Sequence, residues 1–132
     1  MIARVILLWL AILPIAIING LLREKLLRPR LGSRWANTVS GLALMALIAA
    51  FAVATIGWLP RTTETGYLLV GAAWLAATVV FEFSFGRFVA RASWREMIGA
   101  YRFRDGNLWP LVLAAVALAP WGAAVVRQLA LP

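Results

Sequence analysis

Four long stretches of this chain carry almost no charge. Val5–Leu22 runs for 18 residues without a charged side chain, Trp35–Leu59 for 25 and Leu108–Val126 for 19. Tyr67–Gly86 runs for 20, with Glu82 as the single exception. A hydrocarbon core of ~30 Å is crossed by about 20 residues rising ~1.5 Å each, so every run is long enough to span. Backbone in lipid has no water to bond and must bond to itself, which makes each run a helix. The expected fold class is all-α integral membrane. Four transmembrane helices form an up-down bundle, one membrane domain over 1–132, with spans near 5–22, 35–59, 67–86 and 108–126.

Composition agrees. Hydrophobic residues make up 64% of the chain, against roughly 45–50% in soluble domains, and so short a chain could not hide that much apolar surface from water. The first run is too long for a secretory h-region of about 7–15 residues, and no small-x-small cleavage pattern follows it. It reads as a retained span.

Breakers fall between the runs. The stretch RPRLGSR (28–34) holds Pro29 and Gly32, with Ser33 placed to cap the second helix. PRTTETG (60–66) reads as a short link, and RDGN (104–107) as a turn before Pro110 in the first turn of the last helix. Pro14 and Pro120 lie inside spans, where proline kinks. The link 23–34 carries Arg23, Lys25, Arg28, Arg30 and Arg34, and the link 87–107 carries Arg87, Arg91, Arg95, Arg102 and Arg104. Only Arg4, Arg61 and Arg127 lie on the other side. The positive-inside rule therefore expects both basic links in the cytoplasm and both termini outside, with Trp35, Trp58 and Trp109 at span ends.

Between the third and fourth spans, SWRE (93–96) matches a capping box, and Trp94, Met97, Ile98 and Tyr101 recur at helical spacing. A short amphipathic interfacial helix over about 94–103 is expected, serving either as an ordered connector on lipid or as a gate or docking face.

Glu82 lies about one turn inside the basic end of the third span, just before Arg87. Asn19 lies at that depth near the end of the first span, and Asn37, Ser40 and Gly41 near the start of the second. The spacing predicts a buried polar layer of Asn19, Arg23, Asn37, Ser40, Thr78, Glu82 and Arg87. Gly71, Leu75, Thr78, Glu82 and Gly86 share one stripe of the third helix, and small and polar residues on one stripe mark a helix contact. Ala43, Ala46, Ala50 and Ala54 suggest a similar close-packing edge on the second, while Phe81, Phe83, Phe85 and Phe88 suit lipid or apolar neighbours. A carboxylate at that depth must be protonated, paired or watered. Two roles stay open: an ion pair or amide network locking the bundle, or a proton- or cation-responsive site.

Arginine outnumbers lysine twelve to one. Guanidinium forks match phosphate, so Arg28, Arg30, Arg91, Arg95 and Arg102 are expected anionic-lipid contacts, alongside their plain topological role. Because the cations flank apolar runs, nucleic acid is not the expected partner. The partners open to such a bundle are membrane lipids, anionic headgroups among them, a second copy, or another membrane protein.

Enzymatic chemistry is poorly equipped. The chain has no cysteine and no histidine, which removes thiolate and imidazole metal sites and both Ser–His and Cys–His nucleophile pairs. Asp105 is the single aspartate. No catalytic residue, cofactor or metal is assigned, and a lipid-modifying enzyme would have only Glu82, Glu24, Tyr101 and the arginines.

The pattern INGLLREKLLRPRLG…S, then FEFSFGRF…SW…Y…G-N-LW, resembles a family of small bacterial four-helix inner-membrane proteins with no activity attached to it. The likeness spans most of the chain and is sharpest at Asn19–Glu24, Pro29–Gly32, Glu82–Gly86 and Gly106–Trp109. It implies a bacterial inner membrane and this fold. Small four-helix multidrug exporters also keep one membrane glutamate, but in their first helix, and many insert both ways. Here the acid is in the third span and the cation bias is ten to three, which argues against an antiparallel dimer of that kind. The expected function is an accessory or scaffold bundle with a basic cytoplasmic face, the alternative a small oligomeric transporter or channel using Glu82.

Overall fold

Four helices dominate the computed structural model, which describes residues 2–89, Arg95 and residues 108–131. They are α1 (Ile2–Leu22), α2 (Arg28–Thr55), α3 (Glu64–Ser84) and α4 (Trp109–Val126). Each is carried by a helix long and apolar enough to cross a membrane. All regular structure among the described residues is helical, apart from an isolated bridge between Thr63 and Leu131. Apart from Arg95, the expected interfacial helix near 94–103 and the turn at 104–107 lie outside the described residues.

The first link is not a loop. After Leu22 the chain makes a π-helical turn, Arg23–Leu27, closed by the Arg28 N–H on the Arg23 carbonyl, and helix then continues to Gly32. The expected span 5–22 thus sits within a longer helical run, Ile2–Gly32. Arginine, lysine, glutamate and leucine are good helix formers, and the wider turn comes just before Pro29, whose ring and missing N–H are poorly tolerated inside a regular helix. The reversal comes at Gly32, with φ 82° and ψ 165°, a backbone region that is essentially glycine's alone. From Arg34 the helix runs without a break to Thr55 and ends in a short 3₁₀ turn, Ile56–Trp58. A second π-helical turn, Phe85–Val89, follows α3 at the same end of the bundle.

Contacts fix the directions. Arg4 meets Trp58 and Asn19 meets Ser40, so α1 and α2 are antiparallel. Val5 pairs with Trp74 and Trp9 with Thr78, so α1 and α3 run together. A Cβ on Gly71 would overlap the Ala117 carbonyl oxygen, and Leu131 donates to the Thr62 carbonyl, so α4 returns against α3. Gly41 abuts Leu108 and Arg127 donates to the Val53 carbonyl, which sets α4 parallel to α2. The packed neighbours are α1 with α2, α2 with α4, α4 with α3 and α3 with α1. The sequential pair α2 and α3 is thus a diagonal.

Burial follows one ridge of α2: Ala36, Ser40, Leu44, Ile48 and Ala52, continued by Ile56. That is a strict four-residue step, one face of a helix. Opposite lie Tyr67, Val70 and Trp74 of α3 and Val112, Val116, Ala123 and Ala124 of α4, while α1 contributes Leu8 and Ile12. The alanine edge expected on α2 is corrected: Ala43, Ala46, Ala50 and Ala54 are all exposed on the outside of the bundle. Small residues occur on two faces of α2, and the ridge that carries Ser40 and the larger Leu44 and Ile48 is the one that turns inward. The close backbone approach lies elsewhere, at Gly71 against α4.

Candidate functional site

The basic end of the bundle gathers most of the polar side chains singled out in the sequence. Ser40 is 1% exposed. Its hydroxyl donates to the Asn19 side-chain oxygen at 2.5 Å, and the Asn19 amide donates to the Ser40 carbonyl at 3.1 Å. Each partner thus satisfies the other, and α1 is tied to α2 by two bonds at one depth. Such bonds are worth about 0.6 kcal/mol on average within membranes, and up to about 1.7.

Thr78 belongs to a different lock. It accepts the Trp9 indole N–H at 3.0 Å and donates to the Trp74 carbonyl at 2.7 Å. The Trp74 indole in turn donates to the Val5 carbonyl at 3.0 Å. Two tryptophans therefore tie α1 to α3, a role the sequence reading missed, because tryptophan in an apolar run reads as core. Phe81 extends this contact, edge-on to Trp9 at 6.4 Å and stacked on Phe85 at 5.7 Å. Phe85 and Phe88 are exposed.

Nearer the tip lies a chain of charges. One Glu24 carboxylate oxygen accepts Arg23 Nε at 3.3 Å and the Arg28 guanidinium at 3.0 Å. Arg28 reaches on to the Asn37 side-chain oxygen at 3.4 Å, across the Gly32 reversal. Glu24 is the hub, and its spacing of four from Arg28 was the sequence signal for it. The ion pairs themselves are partly exposed and individually weak. What they fix is geometry, the fold-back of 28–37.

Glu82 stands apart from both sets. It is half-buried, and among the described residues it makes no hydrogen bond and no ion pair. Among the described residues, the Arg23 guanidinium acts on it through space. The layer is accordingly not one network centred on the acid. Asn19 and Ser40 bond each other, Arg23 and Arg28 converge on Glu24 with Asn37 bonded to Arg28, and Thr78 serves the tryptophans. Arg87 is exposed on the second π-helical turn. Of the expected lipid-facing cations, Arg30 and Arg95 are exposed, Arg28 is turned in toward Glu24 and Asn37, and Arg91 and Arg102 lie outside the described residues. No three acidic side chains gather where a metal could be held, among the described residues.

The opposite end is stitched by main-chain acceptors. Arg4 donates to the Trp58 carbonyl at 2.8 Å and lies 5.2 Å from its ring centroid. Arg61 and Arg127 donate to the Leu129 and Val53 carbonyls at 2.9 and 3.1 Å. All three cations of this end are thus used internally. Comparison of the chain with protein-family models, curated proteins and solved structures finds no match.

Proposed function

We propose that this is a multi-pass protein of the bacterial inner membrane that acts as an accessory or scaffold bundle. In this reading its four helices form an up-down bundle, both termini are periplasmic, and the basic stretches 23–34 and 87–107 face the cytoplasm. The carrying observation is how the polar side chains inside the bundle are used. Asn19 with Ser40, and Trp9 and Trp74 with Thr78 and Val5, are consumed in helix-to-helix bonds. Groups spent in this way hold helices together and do not line a path. The cationic end is what remains for lipid or a membrane partner.

One observation favours a second reading. Glu82 is half-buried without a bonded partner among the described residues, the condition of an acid that exchanges protons or cations in a small oligomeric transporter or channel. Proteoliposome flux of protons, cations and small solutes, for wild type and Glu82→Gln, separates the two. The scaffold reading expects no flux from either protein. Flux that Glu82→Gln abolishes while the bundle still folds overturns it in favour of transport.

A further inference from the structure

The cations of the first basic stretch divide into two groups. Arg23 and Arg28 are spent on Glu24. Lys25, Arg30 and Arg34 are exposed, and their side chains make no hydrogen bond or ion pair among the described residues. Arg30 and Arg34 flank the Gly32 reversal two residues to each side, so their Cα atoms lie within about 14 Å of each other. The same short stretch exposes Leu26, Leu31 and Trp35, the last at 62%. Free cations and large apolar side chains are therefore presented together.

We infer that this corner, Lys25–Trp35, is a headgroup site for an anionic phospholipid. Arg30 and Arg34 hold the phosphate, and Leu26, Leu31 and Trp35 lie along the acyl-chain side. The geometry suits that ligand on two counts. Guanidinium forks match phosphate oxygens, and the exposed leucines and indole have no use for a free soluble anion but fit the boundary between headgroup and chain. The Glu24–Arg28–Asn37 chain keeps the corner folded. Arg28, a lipid contact by sequence alone, becomes a positioning residue, and Arg34 replaces it. The inference rests on the proposed membrane placement of this end and names the ligand of its basic face.

The test is native mass spectrometry of the detergent-solubilised protein with phosphatidylglycerol, phosphatidylcholine or glycerol phosphate added. Wild type should retain phosphatidylglycerol over phosphatidylcholine, and raised salt should weaken that preference. Arg30→Gln with Arg34→Gln should lower the affinity roughly thirtyfold, about fivefold per cation, and Arg30→Lys with Arg34→Lys should restore part of it. Both side chains are exposed and unbonded, so helix content should stay at the wild-type level in all variants. Unchanged phosphatidylglycerol binding in the Gln variant overturns the site, as does equally tight binding of glycerol phosphate. Solute flux through proteoliposomes of the same protein tests the scaffold reading separately: flux overturns that reading and leaves the lipid result standing.

Discussion

Asn19 and Ser40 grip each other reciprocally, hydroxyl to side-chain oxygen at 2.5 Å and amide to backbone carbonyl at 3.1 Å. Ser40 is 1% exposed, so removing Asn19 strands its hydroxyl. A double-mutant cycle of Asn19→Ala and Ser40→Ala, read by unfolding in mixed micelles, should give a coupling energy of about 0.6–1.7 kcal/mol. Additive effects within about 0.3 kcal/mol would show that the pair does not tie the helices.

Gly71 packs against the backbone of α4. Alanine is intrinsically better than glycine in a helix by about 1 kcal/mol, yet a methyl group here overlaps the Ala117 carbonyl oxygen. A backbone oxygen cannot rotate aside, so α3 and α4 must separate, at a cost of about 1–3 kcal/mol. Gly71→Ala should therefore lower the melting temperature. Gly122→Ala has nothing within 4 Å of the new methyl group, and should leave the melting temperature unchanged or raise it. The reverse ranking of the two variants would contradict this packing of α3 on α4.

The reversal at Gly32 rests on backbone, with nothing within 4 Å of an added Cβ. Any L side chain at φ 82° and ψ 165° is strained, by about 1–3 kcal/mol. Gly32→Ala should destabilise by that amount in chemical unfolding. Gly20→Ala, whose methyl meets Arg23 at an ordinary 3.7 Å, should not. Equal stability of the two variants would mean that the turn is made elsewhere.

The helices were legible in the sequence because uninterrupted apolar length leaves a chain in lipid no other choice. The end of the first helix was not. Pro29, Gly32 and a run of cations read as loop, whereas a π-helical turn carries helix past Leu22 to the glycine. The common depth of Asn19 and Ser40 was readable from their distance to the basic flanks. The indole bonds of Trp9 and Trp74 were not, since hydrophobicity hides a tryptophan's single donor. Nor does periodicity choose between two faces of α2 that both carry small residues. That choice is made by which neighbour packs there, and the diagonal placement of α2 and α3 depends on the same pairwise fits.

The scaffold and headgroup roles require that the helices cross a membrane with the arginine-rich end inside. The chain has no cysteine, so single cysteines at Glu64 and Arg95, both exposed, report the threading directly. With a membrane-impermeant maleimide on intact cells, Glu64→Cys should be labelled and Arg95→Cys should react only after permeabilisation. Labelling of Arg95→Cys from outside, or protection of Glu64→Cys, would contradict the account.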